Sequence, residues 1–271
     1  MIEILEPGAL STVQDLGRTG SRRYGVGTAG AMDGVALEAG NRMLGNLPSA
    51  AGIEVQVLPL RIRFLRDMDF ALTGGDTGAD LDGAAVPPWW MCHARQGQVL
   101  TLGGAGSGFQ SGARAYVLVA GGVDVPLVLG SRSTQLRGRF GGLQGRALQR
   151  GDRLPCGTAG LPTVRAPGFG VVPAPVALPD GAFAGASRPG VTAMRVLPAA
   201  EYDQFDDASA QAFWGTEWKI SAQSDRYGYR LAGQALARRD AGDIRSHGIV
   251  PGVIQVPHSG QPIIQMRDAQ P

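Results

Sequence analysis

The stretch Ile53-Glu54-Val55-Gln56-Val57-Leu58-Pro59-Leu60-Arg61-Ile62-Arg63-Phe64 reads as two short β-strands. Ile53, Val55 and Val57 fall on one face with Glu54 and Gln56 on the other, and then Ile62 and Phe64 alternate with Arg61 and Arg63. Alternation of this kind marks antiparallel strands with one face on a core and the other in water. Working outward, further β-like runs cover Asp69 to Leu72, Val99 to Leu102 and Ala115 to Val119. The glycine clusters TGGDTG (73–78), LGGAGSG (102–108) and AGGVDVP (120–126) separate such runs. Short strands at this spacing predict a mainly β fold, either barrel or sandwich.

Composition agrees. Within 271 residues stand 42 glycines and 18 prolines. Glycine at about twice its usual share without a collagen period implies tight turns and short strands. A chain of this length buries a real core as one large β domain or as two smaller ones.

Two segments read as helices. After Asp33 as N-cap, Ala36, Ala39, Gly40, Met43 and Leu44 make an apolar stripe that Gly45-Asn46 ends. After Pro198, Tyr202, Phe205, Ser209, Ala212 and Phe213 recur at helical spacing. Between them, residues 155–190 hold seven prolines and seven glycines but only three charges, Arg165, Asp180 and Arg188. This is the expected linker between an N-terminal β subdomain (1–154) and a C-terminal one (191–271). Near the end, GVIQVPHSGQPIIQM (252–266) predicts a hairpin about Gly260, with Gln255 and Gln265 facing each other on one side.

Several function classes lack their residues. The formal charge is +2 and no Lys/Arg run follows a phosphate backbone, so nucleic acid is not the expected partner. Lys219 is the only lysine, in EWKIS, which excludes a Walker phosphate loop, an amidase lysine and a biotin-carrier lysine. Cys92 and Cys156 are too isolated for a disulfide framework or a zinc site, and are expected to be reduced thiols. His93, His247 and His258 are scattered, Asp243 and His247 lie in a loop-like GDIRSHGIVPG, and Cys92 adjoins His93 where strand neighbours point apart. No metal site is expected. The start MIEILEPGAL has neither the basic region nor the apolar core of a signal peptide, and no apolar run is long enough to span a membrane; a cytoplasmic protein is expected.

Acid, amide and guanidinium groups remain, set among glycines: Gln14, Asp15 and Arg18; Asp33; Ser224, Asp225 and Arg226; Gln255, His258 and Gln261. Together they suit a polar carbonyl substrate, with N–H donors for an oxyanion and a carboxylate for proton transfer. Singly, each is what a turn or strand-end hydrogen-bond network also needs.

The blocks TVQDLGRTG (12–20), GVGTAGAMDGVALEAGNRMLGN (25–46), AGGVDVPLVLGSRST (120–134), GGLQGRALQRGDRL (141–154), SAQSDRYGYRLAG (221–233) and SHGIVPGVIQVPHSGQPIIQMRDAQ (246–270) carry a resemblance. In content and order they are similar to the KipA/allophanate hydrolase subunit 2 family, whose members include the C subunit of 5-oxoprolinase and the matching part of the urea carboxylase carboxyltransferase domain. The resemblance implies a cyclophilin-like β-barrel architecture with a few short helices. It implies partners, a B subunit of KipI type and an A subunit of LamB/YcsF type, in an assembly that opens the lactam of 5-oxo-L-proline to L-glutamate with ATP. On that reading this chain alone binds no cofactor and ATP is used by the complex.

Carried over by the resemblance, Asp15, Arg18, Asp225 and Arg226 are the expected catalytic residues. Gln14, Asp33, Asn41, Ser224, Gln255, Gln261 and Asp268 are the expected substrate-binding ones. Two positions depart from the family: Tyr227 stands where methionine is usual and Gln265 where an aliphatic residue is common. The family also continues past RDAQP, through a Thr-Thr-Gly-Gly-Tyr-Pro segment that Asp268 and Gln270 would open, which implies a last barrel short of a strand or completed by a partner. The same resemblance carries two other functions: a carboxyltransferase component that uses biotin held by another protein, and a non-enzymatic KipA-type regulator that binds a KipI-type kinase inhibitor.

Overall fold

A computed structural model describes residues 1–104, 108–109, 111–158, 168–173, 191–240, 242 and 248–269. Its strands form three antiparallel sheets. The first runs, edge to edge, β11 (Arg153–Leu154), β1 (Ile2–Glu6), β4 (Leu60–Phe64), β9 (Val99–Leu102), β6 (Ala79–Leu81) and β7 (Ala84–Val86). The second runs β12 (Phe169–Gly170), β8 (Trp90–Ala94), β5 (Met68–Asp76), β10 (Ser111–Val119), β3 (Gly52–Val55) and β2 (Thr12–Gln14). The third is small: β13 (Lys219–Ile220), β14 (Gly228–Ala232), β16 (Ile263–Gln265) and β15 (Ile254–Gln255). The mainly β expectation holds. Among the described residues, however, each sheet is an open ladder with an edge strand at both ends, so the strands form separate sheets rather than one closed barrel.

The opening stretch crosses between sheets: β3 belongs to the second and β4 to the first. β4 alternates as its sequence predicts, with Leu60, Ile62 and Phe64 buried and Arg61 and Arg63 exposed. β3 does not. All four of its residues are buried, Glu54 included, and Val57 lies beyond the strand in solvent. The reason is a second covering layer. Ile2, Ile4, Ile62, Phe64, Leu100 and Leu102 pack against Val13, Ile53, Val55, Phe70, Leu72, Val117 and Val119 to make the core between the two large sheets. On the other face of the second sheet, α1 (Gly34–Met43) sets Ala36, Leu37 and Met43 on Ala71, Tyr116 and Leu118. Strands of this sheet therefore have two apolar faces, and runs such as Phe70-Ala71-Leu72 lose their alternation.

The side-chain carboxylate of Asp33 caps α1, accepting from the Ala36 N–H at 3.0 Å. Gly40 sets how closely the helix approaches, since a Cβ there would lie 2.7 Å from Leu118 Cδ2 and 3.2 Å from Thr73 Cγ2. The second helical stripe divides. Tyr202–Gln204 forms a 3₁₀ turn, Phe205 is extended and bridges to Arg238, and α2 (Asp207–Gly215) begins afresh with the Asp206 side chain accepting from the Ser209 N–H.

The hairpin forms with its turn at Pro257–Gly260, and Gln255 stands opposite Ile263. Gln255 and Gln265 are thus diagonal neighbours, and the Gln265 amide donates to Gln255 Oε1 at 2.9 Å. Much of the expected linker, together with Asp243, His247 and Gln270, lies outside the described residues, while Phe169 and Gly170 of that stretch belong to the second sheet. Among the described residues no helix is long and apolar enough to cross a membrane.

Gly40→Val is expected to destabilise the fold by about 1–3 kcal/mol through overpacking. Combined with Leu118→Ala the loss should be less than additive, because the second change makes room for the first. Denaturant midpoints of the two single variants and the double variant measure this; additive losses would show that the helix is not seated on Leu118.

Candidate functional site

Two polar clusters meet where the loops of the N-terminal sheets touch the third sheet. The first is built on residues 14–18. Asp15 is buried and its Oδ1 accepts from the Gly17 N–H at 2.7 Å, Ser131 Oγ at 2.7 Å and Ser133 Oγ at 2.5 Å, while Oδ2 accepts from the Arg132 N–H at 2.6 Å. Four donors on one carboxylate tie this loop to residues 131–133. Gln14 acts likewise: its amide N–H groups reach Thr12 Oγ1 and the Thr134 carbonyl, and its oxygen accepts from the Gly30 N–H at 3.1 Å.

Gly17 and Gly30 explain the glycines of the block. Their φ angles are +90° and +94°, and a Cβ on either would come within about 2.7 Å of the opposite segment's backbone. Only glycine combines that conformation with that approach. The crossing is closed by the Arg18 N–H on the Thr28 carbonyl and the Ala31 N–H on the Asp15 carbonyl.

Arg18 is 1% exposed. Its Nη2 donates to the Ser133 carbonyl at 2.5 Å and its guanidinium lies 4.8 Å from the centre of the Phe140 ring. Nη1 is buried without a partner. Burial lowers the Arg18 pKa, and the charges of Asp15 and Asp268 oppose that shift.

The second cluster is an ion network. Arg226 is 4% exposed and donates through Nε and Nη2 to both oxygens of Asp268, at 3.0 and 2.9 Å. Its Nη2 also reaches the Gly30 carbonyl at 2.5 Å, and its Nη1 pairs with Glu54 Oε1. The other oxygen of Glu54 accepts from Tyr116 Oη at 2.8 Å and the Met32 N–H at 2.7 Å, and Tyr116 Oη accepts from the Asp33 N–H. Arg114 Nε stands 3.7 Å from Glu54 Oε1.

Burial alone would lower the Arg226 pKa; Glu54 and Asp268 more than reverse this and hold it above the ordinary arginine value. Burial pushes the Asp268 carboxyl above the usual carboxylate range, against the pull of Arg226. The clusters connect through Gly30, whose N–H serves Gln14 and whose carbonyl serves Arg226, and through the Arg267 guanidinium on the Leu16 carbonyl. Tyr227, where the family resemblance expects methionine, donates its hydroxyl to Gln135 Oε1 at 3.0 Å.

Of the expected site residues, Gln14, Asp15, Arg18, Arg226 and Asp268 come together at this junction, and Asp33 joins by its backbone. The others stand apart. Asn41 is buried under the loop after α1, donating to the Pro48 and Ala50 carbonyls. Ser224 and Asp225 shape a turn, Ser224 Oγ accepting from the Arg230 N–H, and exposed Asp225 from the N–H groups of Tyr227 and Gly228. Gln255 is engaged with Gln265, and Gln261 bonds the Gly233 backbone through both ends of its amide. Glu54, Tyr116 and Arg114 belong to the junction and carry no motif, and Ser133 stands within the block 120–134 but not among the expected site residues. The one available signal for Glu54 was a carboxylate inside an otherwise apolar strand. Among the described residues no three His, Cys, Asp or Glu side chains are placed to hold a metal ion, and His93 instead donates from Nδ1 to Asp69 at 2.8 Å.

This arrangement of two large open sheets, a small third one and a polar junction is shared with a carboxyltransferase domain. The chain superposes on Kluyveromyces lactis urea carboxylase with a TM-score of 0.78 and 28% identity, covering 99% of this chain and 24% of that one. The chain belongs to this family: residues 24–271 match the model of the carboxyltransferase domain, subdomain A and B. It is 43% identical over 270 residues to the C subunit of Escherichia coli 5-oxoprolinase, a match that spans all of this chain and 81% of that protein. It is 35% identical over 247 residues to urea amidolyase of Lachancea kluyveri, 89% of this chain but 13% of that protein.

Arg226→Met strands two buried carboxylates and is expected to cost about 3–5 kcal/mol. Asp268 already titrates above its ordinary value in the folded chain, so what it adds to stability is full at low pH and is lost as pH rises through the folded value. Without Arg226 that rise is larger. The variant should therefore lose more stability at pH 8 than at pH 5, as read by urea denaturation; an equal loss at both would mean the carboxylates are not stranded.

Proposed function

We propose that this chain is the C subunit of a 5-oxoprolinase, which with partner subunits opens the lactam of 5-oxo-L-proline to L-glutamate in the cytoplasm at the expense of ATP. The observation that carries the reading is 43% identity along the whole chain with the Escherichia coli subunit of that name. A KipI-type protein as B subunit with a LamB/YcsF-type protein as A subunit are the proposed partners, and ATP is bound on their side. The chain is proposed to divide into an N-terminal part (1–154) with most of the two large sheets, a connecting segment (155–190) and a C-terminal part (191–271) with the small one.

We sort the proposed site residues by what each side chain touches. Asp15 and Gln14, each held by several bonds, brace the loop, and Arg226 joins that loop to Asp268. Among the expected residues Arg18 keeps a buried N–H with no partner. A donor so placed, in a site of low dielectric, suits the developing negative charge on a lactam carbonyl. Asp225, exposed beside Arg226, is the carboxylate placed to exchange a proton with solvent or with a partner protein.

A second reading, a biotin-dependent carboxyltransferase, is favoured by the family match and by the urea amidolyase relative. Biotin would bring a transferable carboxyl group, and the guanidinium donors of Arg18 and Arg114 are of the right kind for a ureido carbonyl or that carboxyl.

Co-expression with both partner subunits should yield ATP-dependent glutamate from 5-oxoproline, insensitive to avidin. Arg18→Gln should lower kcat/KM by about a hundredfold. A complete, well-folded complex that turns nothing over sinks the first reading, and avidin-sensitive activity transfers support to the second.

A further inference from the structure

Among the described residues, the buried side-chain nitrogens and oxygens without any hydrogen-bond partner are Arg18 Nη1, Arg114 Nε and Nη2, Arg267 Nε, Gln56 Oε1 and Ser11 Oγ. The guanidinium atoms in this set all belong to arginines of the junction. Buried polar groups are almost always paired, and an unmade bond costs more when the group is charged. Protein interiors do not scatter such orphans at random. Their concentration here points to a ligand.

Arg114 differs from the other two. It is 9% exposed, its Nη1 donates to the Ala113 carbonyl, and what it leaves unpaired is a whole edge, Nε together with Nη2. That is the edge through which Arg226 holds Asp268 by two parallel bonds. Two adjacent N–H groups in this fork match the two oxygens of a carboxylate. Glu54 does not fill the edge: it stands 3.7 Å from Nε and is already engaged by Arg226, Tyr116 and Met32.

Gln56 adds the complementary group. Ala115 pairs with Val55 and Tyr116 with Glu54; continued one step beyond the end of β3, that register sets Gln56 opposite Arg114, on the side of the sheet that carries Glu54 and Tyr116. Its orphaned atom is an acceptor, and a ligand N–H is what it lacks.

We propose that the Nε/Nη2 edge of Arg114 and the amide oxygen of Gln56 form a subsite for a small molecule that carries a carboxylate and a nearby N–H. The commitment to 5-oxoproline as that molecule rests on the oxoprolinase reading; the carboxylate subsite itself does not. The carboxylate lies across the Arg114 fork and the lactam N–H points to Gln56. The carboxylate contact fixes the ring away from the carbonyl that is attacked, while the N–H contact orients the nitrogen that leaves when the lactam opens.

The test is calorimetric titration of 5-oxoproline, L-glutamate, acetate and the carboxylate-free ring 2-pyrrolidinone into the full chain and into its complex with the partner subunits. Wild type should bind the carboxylates. Arg114→Gln should weaken them at least about tenfold and leave 2-pyrrolidinone unchanged. Because Arg114→Gln could unsettle the fold, Gln56→Glu is the second variant: its carboxylate occupies the Arg114 fork from within, so the chain should melt no lower than wild type and yet lose carboxylate binding. In an active complex Arg114→Gln should raise the KM for 5-oxoproline far more than it lowers kcat, whereas Gln56→Glu, which also touches the leaving nitrogen, should change both. Carboxylates that bind neither the chain nor the complex, or that bind wild type and both variants alike, overturn the subsite. Arg114-dependent binding of the carboxylates in a complex that does not turn over 5-oxoproline keeps the subsite and discards the oxoprolinase reading instead.

Discussion

A buried arginine with two carboxylates around it organises this chain. Arg226 comes from the turn that leads into β14, Glu54 from the middle of β3 and Asp268 from the described end of the chain, and they meet with almost no solvent. Such a triad is weak as a source of net stability, because desolvating three charges cancels most of what their attraction returns. Its value is positional. The guanidinium has a fixed fork of donors, and the Gly30 carbonyl completes the set, so the third sheet has one seat on the first two rather than several. Everything at the junction inherits its geometry from that seat.

The glycine crossing supplies the matching surface. Residues 14–18 and 28–31 run past each other at a distance only Gly17 and Gly30 permit, and this turns the Gly30 carbonyl toward Arg226 while its N–H faces Gln14. Asp15 then fastens the same loop to the serines at 131 and 133. The polar groups of STVQDLGRTG are thus spent mainly on holding backbone, and Arg18 is the member with a donor still free. Both oxygens of the Asp15 carboxylate are occupied by donors of the protein itself.

How much of this was legible in the sequence varied with what covers each element. β4 has one wet face, and its alternation gave its position and orientation correctly. β3, with the same pattern in letters, is buried on both sides because α1, its entry loop and Arg226 cover the face that Glu54 occupies. Alternation reports polarity, and polarity equals exposure only when no distant partner arrives to pair the polar group. The helix at Asp33 was readable because capping is local. The second stripe failed for a converse reason: Phe205 leaves helical geometry to bridge Arg238, a contact 33 positions away in sequence that no periodicity encodes.

The site followed the same division. Block resemblance found Arg226 and Asp268 but could not say that they pair with each other, and it grouped Asn41, Gln255 and Gln261 with them although these brace other loops. Arg114 and Gln56 escaped entirely, as an arginine just ahead of a strand-like run and a glutamine on an apparent wet face. What distinguishes them is not their type but a deficit, donors and an acceptor left unmatched inside the molecule. A deficit has no sequence signature, because it exists only once the surrounding chain has folded and taken up every other partner. Residues that hold a fold advertise themselves by the bonds they make; residues kept for a ligand show themselves by the bonds they still lack.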